Sequence, residues 1–90
     1  MSKSRLKEAA TILTGFGAAE VYLFGSYADG RARADSDVDL AVTALPPELY
    51  FEALGALLEK LGRHVDIVNL DRNTPIARRL RERGELVRLG

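Results

Sequence analysis

The sequence has no cysteine, a single histidine and a formal net charge of zero. Without cysteine there is no disulfide framework and no thiolate metal site. Zero net charge removes the bulk electrostatic case for nucleic acid or a membrane surface as the main ligand. No stretch approaches the ~20 consecutive apolar residues that a membrane-spanning helix needs. The opening Met1-Ser2-Lys3-Ser4 leads into a polar helical pattern rather than a secretory signal. Internal repeats and low-complexity linkers are also missing, so residues 1–90 read as one small, soluble, cytoplasmic domain. A chain of this size buries only about 60–65% of its unfolded surface, so the core is modest. An apolar fraction of 47% is nevertheless ordinary for a globular protein and argues against disorder.

What is present is organised around Gly25-Ser26-Tyr27-Ala28-Asp29-Gly30 and Ser36-Asp37-Val38-Asp39-Leu40. The first follows an apolar run, Val21-Tyr22-Leu23-Phe24, and the second opens another, Leu40-Ala41-Val42. Alternate strand residues share a face, so Asp37 and Asp39 point one way and Val38 and Leu40 the other. Parallel carboxylates repel unless a cation lies between them. Hard oxygen ligands suit Mg²⁺, which binds one or two carboxylates together with substrate phosphates. A Gly-Ser step after a strand lets backbone N–H groups and a hydroxyl approach an anion closely. Together these features read as a site for a metal-bound nucleoside triphosphate.

Along the chain, Ser2 or Ser4 can cap a first helix in which Leu6, Ala9, Ala10 and Leu13 recur at helical spacing, ending at Gly15 and Gly17. Ala19 to Phe24 reads as a buried strand, and Gly25 to Ala32 as a turn into a short helix. Arg33, Ala34 and Asp35 form a returning loop, and Val38 to Thr43 is a second strand. Pro47 suits a helix start, and Tyr50, Leu54, Leu57, Leu58 and Leu61 form its apolar stripe up to Gly62. His64 to Leu70 is a third strand. Thr74-Pro75 opens a helix to about Arg83, closed by Gly84, and Glu85 to Leu89 is a short last strand. The alternation predicts an α/β (α+β) fold, a small mixed sheet flanked by helices.

Asp66 interrupts the apolar third strand between Val65 and Ile67. Its plain meaning is an edge-strand residue facing solvent. Beside the second strand it would instead complete a carboxylate triad with Asp37 and Asp39, able to clamp divalent ions in phosphoryl transfer. Competing motifs fail. A calcium loop opening at Asp35 needs Gly at its sixth and Glu at its twelfth position, where the chain has Leu40 and Pro46. The Gly-Lys-Ser/Thr of a Walker phosphate loop does not occur.

The combination Gly-Ser-x-Ala-x-Gly, Ser-Asp-x-Asp-Leu and a later strand aspartate resembles the DNA polymerase β-like nucleotidyltransferase superfamily. Within it, the chain is most similar to the minimal nucleotidyltransferases (MNT type) found beside HEPN toxins, over nearly its whole length. The resemblance implies that Gly25 and Ser26 hold the triphosphate and that Asp37, Asp39 and Asp66 bind Mg²⁺. It also implies that Asp66 helps to deprotonate the attacking hydroxyl, and that AMP passes from ATP to a tyrosine of a partner HEPN toxin, silencing it. Two alternatives stand beside this: an antitoxin that only covers its partner, and a transferase acting on a small hydroxylated substrate.

Where many relatives carry Arg, this chain has Asp29; Arg31 and Arg33 are nearby cations that could compensate. His64 reads as a surface polar group rather than a ligand. Tyr50 and Phe51 begin the helix that runs to Leu61, whose apolar stripe is most simply core. Arg78, Arg79, Arg81 and Arg83 read as a solvated helix face that could also meet an acidic partner.

Overall fold

The computed structural model describes residues 3–33 and 36–90. Ser2, proposed as a cap, and the loop residues Ala34 and Asp35 lie outside the described residues. Helix α1 (Lys3–Gly15) buries Leu6, Ala9, Ala10 and Leu13, the stripe that its spacing predicts. Ser4 lies inside the helix, not at its cap. Gly17, at φ 114°, turns the chain, and the Ala18 N–H reaches back to the Leu13 carbonyl at 3.0 Å. That bond satisfies one of the carbonyls a helix end leaves open. Gly15 remains helical, so the stop belongs to Gly17.

Strand β1 (Glu20–Phe24) runs into one helical turn, α2 (Ser26–Asp29), and strand β2 (Val38–Thr43) returns antiparallel to β1. A 3-10 turn at Pro47–Leu49 precedes α3 (Tyr50–Leu61), so Pro47 opens the turn and the α-helix begins one turn later. Strand β3 (Val65–Asn69) pairs parallel with β2, which requires a crossover; α3 supplies it. Helix α4 (Pro75–Arg83) and the short strand β4 (Val87–Arg88) complete the chain. The sheet order is β3-β2-β1-β4, so β2 and β1 are central and β3 is an edge. Among the described residues, no helix is long and apolar enough to cross a membrane.

The two sheet faces differ. Val21, Leu23, Val38, Leu40, Val42, Val65 and Ile67 pack against α1 and α3 in the main core. Fully burying a side chain of this kind contributes about 1.5–3 kcal/mol. On the other face Ala41 meets Leu70, Ala77 and Leu80, so α4 covers the end of the sheet near Leu70. The same face at the Asp39–Asp66 end carries polar side chains. Leu58, placed by its spacing on the apolar stripe of α3, is 39% exposed, while Ala53, Leu57 and Leu61 are buried. Ala53 does the packing, so the buried stripe lies to one side of Leu58.

Candidate active site

The predicted residues come from three neighbouring strand ends. Gly25 follows β1, Asp37 immediately precedes β2, Asp39 is the second residue of β2, and Asp66 is the second of β3. The register places Phe24 opposite Asp39 on one side and Asp66 opposite Asp39 on the other. Alternation sends Val38, Leu40 and Val65 into the core. The carboxylates of the intervening residues therefore gather on the opposite face, as the spacing predicts for Asp37 and Asp39.

Asp39 is the half-buried member; Asp37 and Asp66 are exposed. Its carboxyl is raised above the ordinary value of 3.8, first by burial, then by the charges of Asp66 and Asp37, with His64 acting in the opposite direction. One ligand atom each from Asp37, His64 and Asp66 lie within 4.8 Å of one another. The His64 Nε2 is 3.3 Å from the Asp66 Oδ1. His64 is thus exposed, as expected of a surface polar group, and its imidazole also lies among these donor atoms. The available signal was the His64–Asp66 spacing of two, the same as that of Asp37 and Asp39. Asp66 is exposed on an edge strand and stands opposite Asp39 in the parallel ladder.

Gly25 has φ 75° and ψ −151°, a conformation open essentially only to glycine. A Cβ there would lie 2.3 Å from the Asp39 Oδ2. The bare glycine lets the β1–α2 turn close over the carboxylate. The Ala28 and Asp29 N–H groups bond the Gly25 carbonyl at 3.1 Å, which forms the turn. Ser26 is the first helical residue, half-buried, where helix geometry leaves N–H groups without an acceptor inside the helix. Tyr27 ties this turn to the rest of the fold. Its hydroxyl accepts a short hydrogen bond from the Arg63 guanidinium and donates to the Arg33 carbonyl at 3.4 Å.

The departure at Asp29 has a local answer. Its carboxylate is exposed and pairs with Arg31 at 2.9 Å. Tyr50 is partly buried and its hydroxyl bonds the Ile67 carbonyl at 3.2 Å, whereas Phe51 is 80% exposed and lies outside the core stripe. The Phe51 ring borders a cavity of about 420 Å³, with Ile67, Val68 and Ile76 among its lining, away from the carboxylate cluster. On α4, Arg78 bonds Asn73 and Arg81 bonds the Leu70 carbonyl, each at 3.1 Å, so half of the arginine run is engaged with its own fold.

The donor chemistry fits a divalent cation: a carboxylate oxygen each from Asp37 and Asp66 and an imidazole nitrogen of His64 lie within 4.8 Å of one another, and Asp39, opposite Asp66 in the ladder, is disfavoured as an anion first by burial and then by the charges of Asp66 and Asp37. This donor group lies beside the glycine turn that closes against Asp39.

Comparison with known proteins agrees with this. The family model "Polymerase beta, Nucleotidyltransferase" matches residues 8–88. The chain is 40% identical over 79 residues to a protein adenylyltransferase MntA of Thermococcus cleftensis, an alignment spanning 76% of this chain and 80% of that protein. A solved toxin–antitoxin structure with AMP-PNP superposes with a TM-score of 0.77 at 24% identity, covering 100% of this chain and 73% of that one. A second contains a tri-AMPylated HEPN toxin of Shewanella oneidensis in complex with an MNT antitoxin. It superposes with a TM-score of 0.72 at 23% identity, covering 100% of this chain and 72% of that one. At these identities the structural matches establish the fold.

Proposed function

The chain belongs to the polymerase beta nucleotidyltransferase family, and from that premise we propose that it is an antitoxin that transfers AMP from ATP to a tyrosine hydroxyl of a HEPN-type toxin. The observation that carries this reading is the pairing of Asp39 with Asp66 across β2 and β3, with Asp37 alongside and Gly25 packed against Asp39. Support for the donor and acceptor comes from the similar proteins: an adenylyltransferase, a complex with AMP-PNP, and an AMPylated HEPN toxin. The reading implies a cytoplasmic protein.

In this mechanism Gly25 and Ser26 receive the triphosphate, the glycine by close backbone approach and Ser26 through its hydroxyl and N–H. Asp37, Asp39 and Asp66 would hold Mg²⁺, which when bound neutralises phosphate charge and favours an ionised acceptor. Asp66, exposed at the sheet edge, accepts the proton of the tyrosine hydroxyl. The phenolic oxygen bonds the α-phosphorus, the bond from that phosphorus to the bridging oxygen breaks, and pyrophosphate leaves. General-base assistance of this kind is worth about 10²–10⁴-fold. The cluster lies on an open face, which suits a macromolecular acceptor. Docking of that partner supplies the orientation that a small domain cannot supply alone.

The test is to incubate the protein with the helical product of an adjacent gene, ATP and Mg²⁺, and to measure intact masses. The expected result is a gain of one or more AMP units on the partner, lost with Asp37→Ala. A tight complex without mass change, and growth rescue unaffected by Asp37→Ala, would instead favour neutralisation by covering alone. Asp29, which stands where many relatives carry Arg, slightly favours that second reading; its exposed carboxylate pairs with Arg31 at 2.9 Å.

A further inference from the structure

We infer that His64 is a further ligand of the cation bound by the carboxylate cluster, a nitrogen donor that strengthens binding of Mn²⁺, Co²⁺ or Zn²⁺ while adding little to that of Mg²⁺. The inference rests on the proposed reading of Asp37 and Asp66 as metal ligands. Its first support is distance. The His64 Nε2 lies 3.3 Å from the Asp66 Oδ1, and one donor atom each from Asp37, His64 and Asp66 lie within 4.8 Å of one another. Metal bonds of about 2.0–2.2 Å to imidazole nitrogen and carboxylate oxygen hold two ligands of one ion no more than roughly 4.4 Å apart. The three donors thus need to close by a few tenths of an ångström at most.

The second support is that the backbone builds the arrangement. The Val38 N–H bonds the His64 carbonyl at 3.0 Å, and Val38 stands opposite Val65 in the parallel ladder. This sets the residue before Val38 beside the residue before Val65, that is, Asp37 beside His64. Asp66 follows His64 by two and shares its face. The third is access: all three residues are exposed, so an ion reaches them without opening the fold.

The chemistry then sets the preference. Carboxylate oxygens alone suit Mg²⁺. An imidazole donor adds little for Mg²⁺ but strengthens binding of later first-row ions, whose affinity for nitrogen rises along the Irving–Williams order. If His64 only paired with the Asp66 carboxylate, it would compete with the metal, and its removal would leave binding unchanged or improve it. The two roles have opposite signs.

The experiment titrates Mn²⁺ into the metal-free protein, following loss of the free-ion electron paramagnetic resonance signal, with Mg²⁺ as competitor. Co²⁺ is added in parallel and its visible spectrum recorded. Wild type, His64→Gln and Asp37→Ala are compared, with circular dichroism confirming that each is folded. The expected result is that His64→Gln weakens Mn²⁺ and Co²⁺ binding roughly tenfold or more, on the scale of losing ligand-sphere support. Mg²⁺ affinity should change much less, and the Co²⁺ band should shift. Equal or tighter Mn²⁺ binding in His64→Gln overturns the inference. No Mn²⁺ binding by wild type overturns both it and the carboxylate reading. Histidine-dependent Mn²⁺ binding without AMP transfer to any partner supports the inference and counts against the enzyme reading alone.

Discussion

Asp39 carries the electrostatic strain of the site because it is the carboxylate that the fold half-buries between two others. Its raised pKa means that the folded state disfavours the charged form. The linkage sign follows: Asp39 contributes stability below its unfolded value near 3.8, and that contribution is lost as pH rises through the higher folded value. Asp39→Asn should therefore raise the thermal midpoint of the metal-free protein at pH 7 and abolish this part of its pH dependence. A scan from pH 3 to pH 7 compares the two proteins. Added Mn²⁺ or Mg²⁺ should raise the midpoint of wild type more than that of the variant. Gly25 is the second residue under constraint. Gly25→Ala faces both a left-handed φ and an Oδ2 at 2.3 Å, and should cost on the order of 1–3 kcal/mol in urea unfolding for the backbone alone. Adding Asp39→Ala to the same chain should recover the part due to the clash and leave the part due to φ.

At the scale of elements, α4 shows how a local signal becomes a stable helix. Thr74 accepts from the Ala77 N–H at 3.3 Å, Pro75 takes the first helical position and Gly84 ends the helix at φ 64°. Thr74→Ala should cost about 1 kcal/mol by loss of the cap. Chemical denaturation would measure it, with Thr74→Ser retaining most of the stability. Capping chemistry, glycine stops and alternation are short-range, which is why β2 spans the same residues, Val38–Thr43, in sequence and structure. Where packing decides, sequence reading slipped. The choice of Ala53 over Leu58 for the core depends on how α3 rotates against α1 and the sheet, a rotation that the sequence of α3 leaves open.

For the molecule as a whole, the last six residues close the sheet. Leu89 and Gly90 exchange hydrogen bonds with Val21 at 2.8 Å, and Arg88 pairs with Glu20 at 3.2 Å and lies over the Tyr22 ring. Deleting residues 85–90 turns β1 from a central strand into an edge. The loss should be about 2–4 kcal/mol, from the hydrogen bonds and the side chains of Leu86 and Leu89. An exposed edge is also a template for pairing with another chain. Denaturant titration together with light scattering should show a lower midpoint and more self-association than in the full chain. An unchanged midpoint would mean that β4 contributes little.

The sequence by itself determined the carboxylate pair, the glycine turn and the order of helices and strands, because these follow from spacing and backbone chemistry over a few residues. It also carried enough of the family pattern to identify the nucleotidyltransferase fold. Only the tertiary structure decided that Asp66 faces Asp39 and that His64 joins Asp37. Those neighbours are set by the parallel register of β2 and β3, strands separated by the whole of α3. A one-residue slip of that register would have turned Asp66 toward the core, and burial of Val65 and Ile67 is what prevents it.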